Sequence, residues 1–165
     1  MTDRYHLRRA EKAIGSREEM LEIIDTVPYM TVAMCKDGAP YLVTLNHVLD
    51  RQRMCVYFHA AGEGRKVDCI RSNPEVWGQV IEDLGYVAVE CDWAYRSVHF
   101  WGKAGFVADA DEKRHAIELL IDKLEPDAEE LKKRQITESS LSEVMIGKIV
   151  IAGFTGKQRR PGKDR

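Results

Sequence analysis

The stretch most able to do chemistry is Tyr57-Phe58-His59-Ala60-Ala61-Gly62-Glu63-Gly64-Arg65-Lys66. A strand end delivers an aromatic ring and an imidazole, two glycines let the backbone turn closely, and two adjacent cations open a helix. The N-terminus of a helix offers unpaired N–H groups and a partial positive charge, which favour a phosphate. Arg65 would add a planar fork of donors and Lys66 a point charge. On composition alone the same string also reads as a loop carrying two solvated cations, and it is not a P-loop.

Two further segments carry polar groups within apolar runs. In Pro40-Tyr41-Leu42-Val43-Thr44-Leu45-Asn46-His47, the strand period puts Thr44 and Asn46 on one face with Leu42 and Val48, a face that would line a ligand or simply stand half exposed. In Tyr95-Arg96-Ser97-Val98-His99-Phe100-Trp101-Gly102, the residues Ser97, His99 and Trp101 alternate with Val98 and Phe100, which suits a planar ligand or an interface. His47, His59 and His99 each offer an imidazole, although a lone histidine on a strand is more often structural. The four cysteines, Cys35, Cys55, Cys69 and Cys91, form no close-spaced pair. They read as reduced, mostly buried thiols of a cytoplasmic protein, and no metal site is expected.

These segments need a scaffold, and the pattern supplies one. The chain has 165 residues, 25 Lys+Arg against 27 Asp+Glu, and 44% hydrophobic residues, which suits one globular domain and excludes a disordered chain. No apolar run approaches a membrane span, and the first residues lack the apolar stretch of a secretory signal. Near-balanced charge gives no global case for nucleic acid. Ser16 with Glu19 forms a capping box ahead of a helix that Pro28 stops. Strands are expected over 29–35, 40–49, 54–59, 75–82, 86–91, 95–108 and 144–154, with Gly102 and Gly105 marking a bend or bulge. Helices are expected at 65–71, from Asp111 with Ile117, Leu120, Ile121 and Leu124 inward, and at 127–134. The alternation of strand and helix required by a doubly wound sheet is absent. The expectation is an α+β protein, an antiparallel sheet closing into a small barrel with peripheral helices. Residues 1–155 form the single domain, and 156–165 a flexible basic tail. That tail lacks the interleaved aromatics of a nucleic-acid binder.

Taken in order, these strings resemble the flavin-binding split β-barrel proteins related to pyridoxamine 5′-phosphate oxidase, and in particular their nitroimidazole-resistance branch. The resemblance runs from Arg8-Arg9 and Glu18-Glu19-Met20-Leu21 through Asp37-Gly38-Ala39-Pro40-Tyr41, the Tyr57-to-Lys66 string and Asn73-Pro74-Glu75-Val76. It continues through Tyr95-Arg96-Ser97-Val98 with Gly102 and fades after Asp111-Glu112-Lys113. It implies an antiparallel split β-barrel and a homodimer with FMN at the subunit interface. Gly64, Arg65 and Lys66 would hold the FMN phosphate, with Phe58 and His59 at the end of the preceding strand. Leu42, Val43, Thr44, Leu45 and Asn46 would lie along the isoalloxazine, and Ser97 would reach the flavin from the other subunit. Thr44 stands where the resistance branch often has proline, and the oxidases' substrate-binding residues are not recognisable. The implied activity is therefore transfer of a hydride or electrons from reduced flavin to a small electrophile such as a nitroaromatic, with no catalytic side chain identified. A non-catalytic flavin or haem protein, for sensing or storage, is the alternative.

Overall fold

Ser16 begins the first helix as expected: its Oγ accepts the Glu19 N–H at 3.2 Å, opening α1 (Arg17–Thr26). The reciprocal half of the capping box is not made, because the Glu19 carboxylate instead takes Arg160 at 2.6 Å and Arg96 at 3.7 Å. Val27, held extended before Pro28, ends the helix. The computed structural model describes residues 9–160, so the resemblance at Arg8 and the last five residues lie outside it. A short 3₁₀ turn (Ala10–Lys12) and β1 (Ala13–Ile14) precede α1.

β2 (Tyr29–Lys36) and β3 (Ala39–Asn46) form a hairpin in which Lys36 faces Ala39. Its two-residue loop, Asp37 and Gly38, has φ of 52° and 79°, the signature of a type I′ turn. The expected strand over 40–49 breaks at His47. That side chain is fully buried and bonds the Ile24 carbonyl at the end of α1 at 2.7 Å, so the chain turns inward. It resumes as β4 (Val48–Asp50), which pairs with β5 (Cys55–Ala60) rather than with β2. α2 (Arg65–Ser72) follows, then β6 (Glu75–Val87) and β7 (Asp92–Phe106). The separate strand expected at 86–91 does not exist. β6 continues through a bulge at Gly85 (φ 89°), whose N–H bonds the Asp83 carboxylate, and Tyr86 pairs with Trp93.

α3 (Ala110–Leu124), capped by Asp109, and α4 (Ala128–Gln135) match expectation, while α5 (Glu138–Glu143) was not anticipated. β8 (Met145–Arg159) runs further than expected. Residues 156–159 are therefore sheet and not tail: Ser97 faces Lys157, and Arg159 is buried with ion pairs to Glu90 and Asp92. The expected irregularity at Gly102 is present as a register shift in the β7–β8 ladder.

The strands are hydrogen-bonded in the order β3-β2-β6-β7-β8-β5-β4, every pair antiparallel, with β1 added to β8. The fold is an α+β split barrel with peripheral helices. The sheet curls around a core of Met30, Val32, Phe58, Val98 and Phe100, but its hydrogen bonding does not close between β3 and β4. α3 covers the other face of β4, β5 and β8, packing Ala116 and Leu120 with Val48, Tyr57 and Ile146, and the buried Tyr57 hydroxyl donates to Glu112 at 2.7 Å. Cys55 and Cys69 are buried, Cys35 is half-buried, Cys91 is exposed, and all four are free. No helix of the described residues is long and apolar enough to cross a membrane.

Candidate functional site

Gly64 is the N-cap of α2, with φ 121°, a backbone conformation that only glycine adopts readily. Having no side chain, it leaves the first-turn N–H groups of α2 uncapped. Arg65 and Lys66 stand on that first turn. Among the described residues neither has a carboxylate within ion-pair distance, so two positive charges sit uncompensated at the positive end of a helix. The arrangement is unfavourable alone and becomes favourable with an anion between the cations and the open N–H groups.

The two cations are held differently. The Arg65 guanidinium lies over the Tyr41 ring on β3, 4.8 Å from its centroid. Lys66 turns inward: its Nζ is 5.6 Å from the centre of the Phe58 ring and donates to the His59 carbonyl at 3.5 Å. Burial pulls the Lys66 ammonium below the usual lysine range, as expected for a cation that has lost water without gaining a counter-charge.

Strand β3 runs from this cradle along the open seam of the sheet. Leu42, Thr44 and Asn46 project outward and are exposed, Leu42 by 64%, while Tyr41, Val43 and Leu45 turn toward the core. Val43 and Leu45 are thus available to a ligand only through their backbone. Val48 does not share the outer face of Leu42, because the bend at His47 buries it beneath α3. Phe58 is also internal: its ring packs in the barrel core, with its tip against Gly147. His59 is exposed, but it faces the helical layer, where it lines a cavity of about 380 Å³ with Ile117, Leu120, Leu124 and Ile146. Among the expected residues, the structure brings together Gly64, Arg65 and Lys66, with β3 alongside.

Ser97 is elsewhere. Its side chain is on the outer side of β7, separated from β3 by β2 and β6, but it is buried, and its hydroxyl donates to the Lys157 carbonyl at 3.3 Å. The alternation read in that segment holds, with Val98 and Phe100 buried inward and Ser97, His99 and Trp101 on the other side. His99 bonds Gln79 across the ladder at 2.8 Å, and burial, then the Lys157 charge, lower its pKa. Trp77 and Trp101, cross-strand partners on the same face, lie with ring centroids 5.0 Å apart. The exposed Trp77 and half-buried Trp101, with the exposed Tyr29, Leu42 and Ile81, place apolar side chains on the outer face of β3, β2, β6 and β7. Sequence reasoning passed over Tyr41 and Trp77 as site residues. The only available signal was the strand parity of Tyr41, which is shared with ordinary core positions.

The chain belongs to the pyridoxamine 5′-phosphate oxidase family, whose model matches residues 16–158. Its solved structural neighbours include a candidate 5-nitroimidazole antibiotic resistance protein from Bacteroides thetaiotaomicron. That protein is 25% identical with a TM-score of 0.72, over 88% of this chain and 86% of the other. The flavocytochrome Anf3 of Azotobacter vinelandii is 22% identical with a TM-score of 0.80, over 99% and 78%. A FAD and haem binding protein of Mycobacterium smegmatis is 20% identical with a TM-score of 0.76, over 93% and 76%. No curated protein matches the chain.

Proposed function

We propose that this chain is a homodimeric FMN-binding flavoprotein that reduces a small electrophile, such as a nitroaromatic. The observation that carries the reading is the uncompensated pair Arg65 and Lys66 at the uncapped start of α2, beside an exposed edge strand. A phosphate monoester fits that donor set: two cations, open backbone N–H groups and, although Asp68 shares the first turn, no carboxylate paired with either cation among the described residues. Leu42 offers an apolar contact to a flat ring, and Thr44 and Asn46 offer hydroxyl and amide groups along the same row. When bound, FMN supplies the hydride or electron transfer; the protein supplies position and access.

A second subunit completes the site. The outer face leaves Tyr29, Leu42, Trp77 and Ile81 exposed to water, and a twofold copy would cover them. Ser97, remote from β3 in its own chain, would then reach the flavin of the other subunit. The family membership and the flavin-binding neighbours support the same reading.

The visible spectrum of the purified protein tests it. Bands near ~370 and ~450 nm, with FMN released on denaturation, are the expected result. Anaerobic photoreduction followed by a nitroaromatic should then restore the oxidised spectrum. The double substitution Arg65→Ala with Lys66→Ala should abolish FMN retention and leave a folded dimer. Stoichiometric flavin in that variant would refute the phosphate assignment, and a colourless protein that takes up no FMN would remove the flavoprotein reading.

A haem protein is the second reading, favoured by the exposed His59 lining an aliphatic cavity of small-molecule size. The haem-binding names of two neighbours agree with it. A Soret band lost in His59→Ala, with no flavin bands, would decide for it.

A further inference from the structure

Tyr41 joins two parts of the candidate site that come from distant stretches of sequence. It is carried on β3, one position before the exposed row of Leu42, Thr44 and Asn46, and its ring supports the guanidinium of Arg65 on α2. The ring is itself packed against the barrel core, so it forms a fixed platform. A surface arginine loses considerable rotamer freedom when it is held in one geometry. Here that ordering precedes any ligand.

The nature of the support matters. A carboxylate would also hold a guanidinium, but it would cancel the charge and occupy the donors. An aromatic face attracts the cation through its quadrupole and leaves all five N–H donors free. Among the described residues no carboxylate pairs with Arg65, and the ring is what holds it.

We infer that Tyr41 is a positioning residue. It presets the Arg65 guanidinium for a phosphate monoester at the start of α2, and it sets the spacing between that phosphate and the ring-contacting residues of β3. The inference rests on the flavin reading above and assigns Tyr41 no contact with the reacting atoms.

The test is titration of the deflavinated full-length protein with FMN and with riboflavin, which lacks the phosphate. Wild type, Tyr41→Phe, Tyr41→Leu, Arg65→Ala and the Tyr41→Leu/Arg65→Ala double variant are compared. Tyr41→Phe should bind FMN within about twofold of wild type, and Tyr41→Leu should bind roughly 3- to 10-fold more weakly, the scale of a partly exposed cation–π contact. Riboflavin affinity should be the same in both. The double variant should be no weaker than Arg65→Ala, because Tyr41 acts through Arg65. If wild type binds FMN and Arg65→Ala binds it measurably more weakly, the inference is overturned by a Tyr41→Leu protein with wild-type affinity. Additive losses in the double variant, or an equal loss of riboflavin, would also overturn it and reduce Tyr41 to a packing residue. A wild-type protein that takes up neither ligand removes the flavin reading and this inference together.

Discussion

His47 illustrates how a single side chain divides the sheet. Its ring is fully buried and its Nε2–H donates to the Ile24 carbonyl, while the Lys123 ammonium donates to the Val27 carbonyl at 2.9 Å and stands 3.4 Å from the same imidazole. Burial, and then the Lys123 charge, hold His47 down at about 4, while burial lowers Lys123 to about 8. At neutral pH the imidazole is uncharged beside a charged amine. A histidine whose folded pKa is depressed stabilises the fold above its unfolded pKa, and that contribution is lost as pH falls from about 6.5 toward 4. Urea midpoints should therefore drop across that window, by roughly 3 kcal/mol in stability at most. His47→Gln, which keeps a donor for Ile24, should flatten the slope; an unchanged slope would place the acid sensitivity elsewhere. The sequence marked His47 only as a histidine ending an apolar strand. Its partners lie on α1 and α3, and no spacing rule connects them.

At the level of elements, glycines make room for the rings that fill the barrel. A Cβ on Gly78 of β6 would collide with the tip of the Phe100 ring, its cross-strand partner, and one on Gly147 of β8 with that of Phe58. Gly78→Ala should cost roughly 1–3 kcal/mol, the usual scale of overpacking, and Phe100→Leu in the same chain should return part of it. Denaturant midpoints measure both, and full stability in Gly78→Ala would mean that the core yields more easily than its packing implies. Several elements were legible from their patterns: β2 and β3 show period-two burial, and α1 carries its Ser16 cap in the sequence. The end of β8 was not legible, because Lys157 and Arg159 read as solvated charge. Only the structure shows Arg159 buried against Glu90 and Asp92 of the β6–β7 hairpin. Within that hairpin the sequence reading split off 86–91 as a separate strand, since the bulge at Gly85 interrupts the alternation that identifies β6.

For the whole molecule, the proposed dimer turns the outer face of the sheet into an interior. Trp77 is 41% exposed beside Trp101 at the middle of the apolar surface, so Trp77→Glu should place a charge in the subunit contact. Sedimentation should then show a monomer with native circular dichroism and reduced FMN retention. A dimer that survives this change would move the contact to another face. The cradle at α2 was visible in the sequence because its parts are contiguous, from Gly64 to Lys66. The outer surface was not, since Tyr29, Trp77 and Trp101 come from three strands and meet only through register. The strand order has one more consequence. β8 pairs with β7, β5 and β1, and among the described strands it alone hydrogen-bonds to both the β3-β2-β6-β7 half of the sheet and the β5-β4 half. During synthesis every other described strand leaves the ribosome first. A nascent chain stalled before residue 145 would hold two unjoined half-sheets, each with a bare strand edge open to proteases and to other nascent chains.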